Sequence, residues 1–99
     1  MFTDIAGSLN LWKLDSAKMM EGLDRHESQI LHVLEGCDAM VVKSIGDSFM
    51  LVFDKFYEAI LYGIALQKHL LLNPIYVGSK SIQIRIGIRS WWGCIFLFI

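Results

Sequence analysis

Proline is nearly absent from this chain, cysteine is scarce, no charge sign prevails and no apolar run is long. One proline, Pro74, with only eight glycines excludes a collagen-like or low-complexity chain. Two cysteines, Cys37 and Cys94, are too few for a disulfide framework, which points to a cytosolic chain. Nine Lys and Arg against ten Asp and Glu leave a net charge of −1, so there is neither a basic footprint for nucleic acid nor an acidic tail. The most apolar stretch, Trp91–Ile99, has eight apolar residues in nine. A transmembrane helix needs about 20. Met1-Phe2-Thr3-Asp4 puts a carboxylate where a signal peptide needs an apolar run. Neither a membrane span nor a leader is therefore expected in this chain.

What is present is apolar surface: 55% of residues are hydrophobic and 19% charged, which excludes intrinsic disorder. Ninety-nine residues make one domain at most, with a core that gives modest stability.

The pattern along the chain alternates between periods. Phe2-Thr3-Asp4-Ile5 has strand character, and Ala6-Gly7-Ser8 breaks it. Four or five residues is short for a central strand, where about 5–6 is usual. Leu9 to Leu34 reads as helical in two segments, with Asp15-Ser16 capping the second and Gly36 at its C-terminal cap. The second segment's apolar stripe is Leu23, Ile30, Leu31 and Leu34. Ala39–Lys43 and Ser48–Phe53 flank Gly46-Asp47, which predicts a β-hairpin. Asp54 is placed to cap the next helix, whose stripe is Phe56, Ala59, Ile60, Gly63, Ile64, Gln67, Leu70 and Leu71. Asn73-Pro74 ends it. In Ser81–Ile88, Ile82, Ile84, Ile86 and Ile88 alternate with Gln83, Arg85 and Gly87, as in a half-buried strand. The order β, α in two segments, β, β, α, β is that of an α+β, ferredoxin-like βαββαβ sandwich, with helices on one side of an antiparallel sheet.

In such a sheet the first and third strands are central neighbours, so Asp4 and Asp47 converge at one edge. Paired carboxylates suit hard divalent cations, and Mg²⁺ is commonly held by one or two carboxylates plus substrate phosphates. Two such ions can activate an attacking oxygen and stabilise a leaving one. The turn into a helix after Asp4 offers backbone N–H groups to anions. Asp and Gly-Asp at strand ends also serve ordinary turn chemistry, so spacing alone leaves both readings open.

Phe2-Thr3-Asp4-Ile5-Ala6-Gly7-Ser8, Leu11-Trp12, Val42-Lys43-Ser44-Ile45-Gly46-Asp47-Ser48-Phe49-Met50 and Ile84-Arg85-Ile86-Gly87-Ile88 together resemble the class III nucleotidyl cyclase catalytic domain, in order and in spacing. The adenylate cyclase branch of protists, fungi and bacteria is the most similar. The resemblance implies conversion of ATP to cyclic AMP and pyrophosphate with two Mg²⁺ or Mn²⁺ ions, for intracellular signalling. By position, Asp4 and Asp47 match the metal-binding, catalytic aspartates, and Ile5 a backbone carbonyl on one ion. Ala6, Gly7 and Ser8 match the phosphate-contacting turn. Lys43 matches the purine-selecting lysine that favours adenine, where guanylate cyclases tend to carry Glu. The resemblance also implies a homodimer, or a heterodimer with a complete cyclase domain, in the cytoplasm or as the cytoplasmic domain of a membrane-bound parent.

The pattern departs at its end. Residues 1–89 read as the N-terminal part of the cyclase domain, and residues 90–99 as a hydrophobic tail outside it. Arg89-Ser90 stand for the pattern's His and small residue, but Trp91 replaces its glycine, and Leu9 replaces a usual Thr. A frameshift, retained intron or gene fragment explains Trp91–Ile99 better than selection does, the alternative being a buried C-terminal strand. The later residues of the pattern include a second purine contact and a transition-state Asn and Arg. The chain alone is accordingly expected to be weak or inactive, with two alternatives: a non-catalytic dimerising or nucleotide-binding fragment, or guanylate cyclase activity in a parent protein. A diguanylate cyclase is disfavoured, since its G-G-D/E-E-F run is missing. His26, His32 and His69 show no metal spacing, and His26 reads as structural. Met19, Met20, Met40 and Met50 read as core filler. The Trp91-Trp92 pair is too isolated for a stacking platform.

Overall fold

The computed structural model describes residues 1–90 and 93–97, with all side chains among them except those of Lys43 and residues 95–97. The Trp91-Trp92 pair lies outside the described residues. The elements run β1 (Phe2–Ile5), α1 (Ser8–Leu14), α2 (Ser16–Leu34), β2 (Ala39–Ile45), β3 (Ser48–Phe53), α3 (Phe56–Leu72), β4 (Tyr76–Val77), β5 (Lys80–Ser81), β6 (Ile84–Ser90) and β7 (Gly93–Leu97). The main sheet has the order β2-β3-β1-β6-β7, and each of its pairings is antiparallel. This is the expected α+β, ferredoxin-like sandwich, with β1 in the middle despite its four residues. The small β4–β5 hairpin goes beyond the sequence pattern. A strand also forms within the C-terminal stretch, as the alternative reading of that stretch had it: β7 pairs with β6 from Ile86↔Leu97 to Ser90↔Gly93.

The core follows from alternation. On β1, Thr3 and Ile5 are buried while Phe2 is exposed; on β3, Phe49 and Leu51 are buried while Val52 is exposed. Ile82, Ile84, Ile86 and Ile88 are all buried, as the alternation predicts. Each buried side chain of this size contributes about 1.5–3 kcal/mol. The opposite sheet face leaves Phe2, Val42 and Val52 open.

Asp15 caps α2 as expected, its side chain accepting from the Lys18 N–H at 3.0 Å. Gly36, just past the α2 cap, adopts φ +80°, a left-handed conformation suited to glycine. The cap of α3 departs from expectation. It is Lys55 rather than Asp54, with no side-chain cap bond. The buried faces of both long helices are also turned from the predicted stripes. In α2 they are Met19, Gly22, His26 and Ile30, with Leu31 exposed. In α3 Tyr62 and Leu66 are buried in place of Ile64 and Leu71. Glycine explains part of the first shift. A Cβ on Gly22 would meet Ile82 at 3.2 Å and Ile75 at 3.3 Å, so α2 approaches the β4–β5 region through its glycine face. In α3 apolar residues lie all round the helix, so periodicity alone does not single out a face.

Candidate active site

The site lies at the sheet end where β1 finishes and β3 and β6 begin. Asp4 is the next-to-last residue of β1 and stands opposite Arg85 in the β1–β6 register. It points to the open sheet face, alternating with buried Thr3 and Ile5. The Arg85 guanidinium donates from Nε to Asp4 Oδ1 at 2.9 Å and from Nη2 to Oδ2 at 2.8 Å. Both oxygens are thus taken in a fork, the strong geometry for this pair. The pair is open to water, with side-chain exposures of 52% for Arg85 and 39% for Asp4. Asp4, by hydrogen bond and by charge, holds the guanidinium proton above its ordinary range, and Asp47 adds to this.

Asp47 reaches the same place from the β2–β3 turn. Ile45 pairs with Ser48, leaving Gly46-Asp47 as a two-residue connection. Gly46 has φ +56° and among the described residues no non-glycine residue has positive φ, the pattern of a II′ hairpin turn with glycine first. That turn aims Asp47 Oδ2 at the Ile5 N–H, which donates to it at 3.0 Å. The carboxylate of Asp47 is therefore fixed to the residue that follows Asp4.

The other residues singled out in the sequence fall as follows. The Ala6 N–H is used internally, donating to the Gln83 carbonyl at 2.8 Å. Gly7 is the α1 cap with φ +64°, and its carbonyl accepts from Asn10 and Leu11. Ser8 opens α1. The Lys43 backbone lies in β2 opposite Met50, beside a register shift between Val41 and Lys43, and its side chain lies outside the described residues. His26 is fully buried beneath the turn, edge-on to Phe49 with ring centroids 5.9 Å apart. Burial lowers its pKa from 6.5 to about 4, against a smaller opposing pull from Asp47. His32 and His69, distant in sequence, meet at the ends of α2 and α3 with ring centroids 5.6 Å apart. Among the described residues no third His, Cys, Asp or Glu joins them or any other such group.

Arg85 is the site residue that sequence reasoning passed over. Alternation puts it on the polar face of its strand, which by itself assigns it no role. Strand order brings the first and last strands of a βαββαβ sheet side by side, and the register then sets the outward Arg85 opposite the outward Asp4. A cleft of about 900 Å³ lined by Phe2, Met50, Val52, Phe56, Ile88 and Arg89 opens at the opposite sheet end and includes neither aspartate.

Two carboxylates on one sheet edge, with hard oxygen donors and room for water, fit Mg²⁺ or Mn²⁺ completed by phosphate oxygens. As the side chains stand, Asp47 has one oxygen outside its bond to Ile5, whereas Asp4 has both on Arg85.

Comparison with known proteins bears on the family and the fold. Residues 1–95 match the family described as the Adenylate and Guanylate cyclase catalytic domain. A receptor-type adenylate cyclase, GRESAG 4.2 of Trypanosoma brucei brucei, is 31% identical over 71 residues, covering 72% of this chain and 12% of that protein. An adenylate cyclase of Podospora anserina is 28% identical over 111 residues, covering 94% of this chain and 5% of that protein. The chain thus spans a small part of either relative. Among solved structures, the guanylate cyclase domain of RhGC from Catenaria anguillulae, in complex with GTP, superposes with a TM-score of 0.75 at 16% identity, covering 99% of this chain and 63% of that one. The last likeness shows the fold, and the sequence match over nearly the whole length shows the rest: the chain belongs to the adenylate and guanylate cyclase catalytic domain family.

Proposed function

We propose that this chain carries the cation-, phosphate- and purine-holding side of a nucleotide cyclase site that forms cyclic AMP and pyrophosphate from ATP. The ribose 3′-oxygen bonds to the α-phosphorus, the bond to the β-phosphate oxygen breaks, and the hydroxyl proton leaves to solvent. Asp4 and Asp47 would hold Mg²⁺ or Mn²⁺ with the Ile5 carbonyl. Bound there, the ions would lower the hydroxyl's pKa and neutralise triphosphate charge. Gly7 and Ser8 would present backbone N–H groups to the phosphates, while the Ala6 N–H stays with Gln83. Lys43 would read the purine. A partner protomer, either a second copy or a complete cyclase domain, would supply the Asn and Arg of the family pattern.

The observation that carries the reading is the 3.0 Å bond from the Ile5 N–H to Asp47, which ties Asp47 to the residue that follows Asp4. Adenine over guanine rests on Lys43 and on the names of the two adenylate cyclase relatives. No helix among the described residues is long and apolar enough to cross a membrane. Placement as a cytoplasmic domain of a larger protein follows the receptor-type relative.

The test is Mn²⁺-dependent binding of ATP to the chain. Asp4→Asn and Asp47→Asn are each expected to weaken it about tenfold or more, the scale of losses around metal ligands. Lys43→Glu should move preference toward GTP. Binding that ignores both aspartates overturns the reading. A second reading, a dimerising module without catalysis, draws on the open sheet face of Phe2, Val42 and Val52. It predicts no cyclic nucleotide when the chain is mixed with a complete cyclase domain whose own aspartates are removed, where the first predicts product.

A further inference from the structure

The two aspartates are held in different ways. Asp47 gives one oxygen to a neutral backbone N–H, a bond that leaves its charge available. Asp4 gives both oxygens to a cation that belongs to the protein. A guanidinium stays charged at any working pH, so base does not open this contact. The register fixes it: Asp4 and Arg85 are directly opposed across β1 and β6, on the open side of the sheet. Cross-strand opposite charges attract, and because the pair stands open to water an incoming cation can reach it.

We propose that Arg85 is a latch on the cation site, its guanidinium standing in for the metal at Asp4 until an incoming cation displaces it. The inference rests on the reading of Asp4 and Asp47 as cation ligands. The latch has two consequences. Without a ligand, the site holds two carboxylates and one guanidinium in place of a bare pair of negative charges, so the hairpin turn and β1 stay together. With a ligand, the cation gains Asp4 only by losing Arg85, so cation affinity is lower than two aspartates alone would give, and each filled site releases one guanidinium. A released guanidinium is suited to bind phosphate oxygens in the same forked manner.

The experiment is a Mn²⁺ titration of the 99-residue chain without nucleotide, following the electron paramagnetic resonance signal of free Mn²⁺. Arg85→Gln is expected to tighten binding about fivefold or more, the lower end of ordinary coupling between sites. Arg85→Lys, a point charge that cannot fork, should fall between it and the parent. It also guards against a folding defect in the first variant. Arg89→Gln removes the same charge from the same strand face about 13 Å away. At physiological salt, where screening sets in over about 8 Å, it should change binding less than about twofold. Arg85→Gln binding no more tightly than the parent overturns the latch, and so does an equal gain from Arg89→Gln, which would mark a net-charge effect. Repeating the series with Asp47→Asn separates the two ideas. Mn²⁺ binding that survives that change unaltered in every variant sinks the cation site itself, whereas Asp47-dependent binding that ignores Arg85 sinks only the latch.

Discussion

The exposed end of the sheet and the interior directly behind it treat polar groups in opposite ways. At the end, Asp4, Asp47 and Arg85 stand in reach of water and each has a partner: Arg85 on Asp4, the Ile5 N–H on Asp47. Behind them Thr3 Oγ1 and both ring nitrogens of His26 are buried and find no hydrogen-bond partner. The difference teaches where this fold can rearrange. Contacts at the end can be traded for water, a cation or phosphate at little cost. The interior has no such exchange, and an unpartnered buried polar group keeps its desolvation penalty. A site that must open and close is thus carried on a base that cannot.

The comparison breaks most visibly if stability and binding fail to separate. Leu51→Ala, in the base, is expected to cost about 2–5 kcal/mol in urea unfolding. Asp47→Asn, at the end, should change stability by less than about 0.5 kcal/mol, because the amide oxygen can still accept from Ile5. A large stability loss in the second variant would place Asp47 with the base rather than the site. Next in size is acid sensitivity. An unfolded His26 binds a proton near pH 6.5, while the folded one resists until about 4. Between those values the unfolded state holds more protons, so stability is full above pH 6.5 and falls as pH falls toward 4. The drop from 6.5 to about 4 corresponds to about 3 kcal/mol. His26→Leu should flatten this part of the pH profile relative to the parent and cost less than about 1.5 kcal/mol at neutral pH, since neither ring nitrogen has a bond to give up and only the edge-on contact with Phe49 is lost. A profile unchanged by the substitution would mean that the histidine is hydrated or paired in solution.

The sequence made the sheet legible because alternation is a strong signal where one face is buried. The four isoleucines from Ile82 to Ile88 point inward without exception. The convergence of Asp4 and Asp47 followed from strand order alone, since the hairpin start and the end of the first strand must meet when those strands are neighbours. What escaped was set by packing between elements. The face of α2 turned because Gly22 admits Ile82 and Ile75, an approach written in two distant parts of the chain. Tyr62 displaced Ile64 from the buried face because α3 is apolar all round, so its orientation depends on what each side chain meets. The contact of Arg85 with Asp4 needed the register as well as the order, and register is fixed only when whole strands are aligned.

Tyr62 offers the smallest and sharpest test of the separation. Its hydroxyl is buried and donates to the Ile30 carbonyl at 2.9 Å, tying α3 to α2, and burial pushes its ionisation well above the ordinary tyrosine range. Its ring lies 5.2 Å from Phe53, so the aromatic contact survives removal of the hydroxyl. Tyr62→Phe therefore removes one buried hydrogen bond and little else. The carbonyl it leaves lies inside a helix, where the backbone supplies its own donor, which keeps the expected cost near 1 kcal/mol. For a domain of this size that is a fall of about 4–8 °C in Tm. Mn²⁺ affinity should stay the same, and combining Tyr62→Phe with Asp47→Asn should give additive effects, as expected of groups that share no contact. Coupling between them beyond about 0.5 kcal/mol would show that the helical layer reaches the charged end through the interior. The base would then take part in opening the site rather than only carry it.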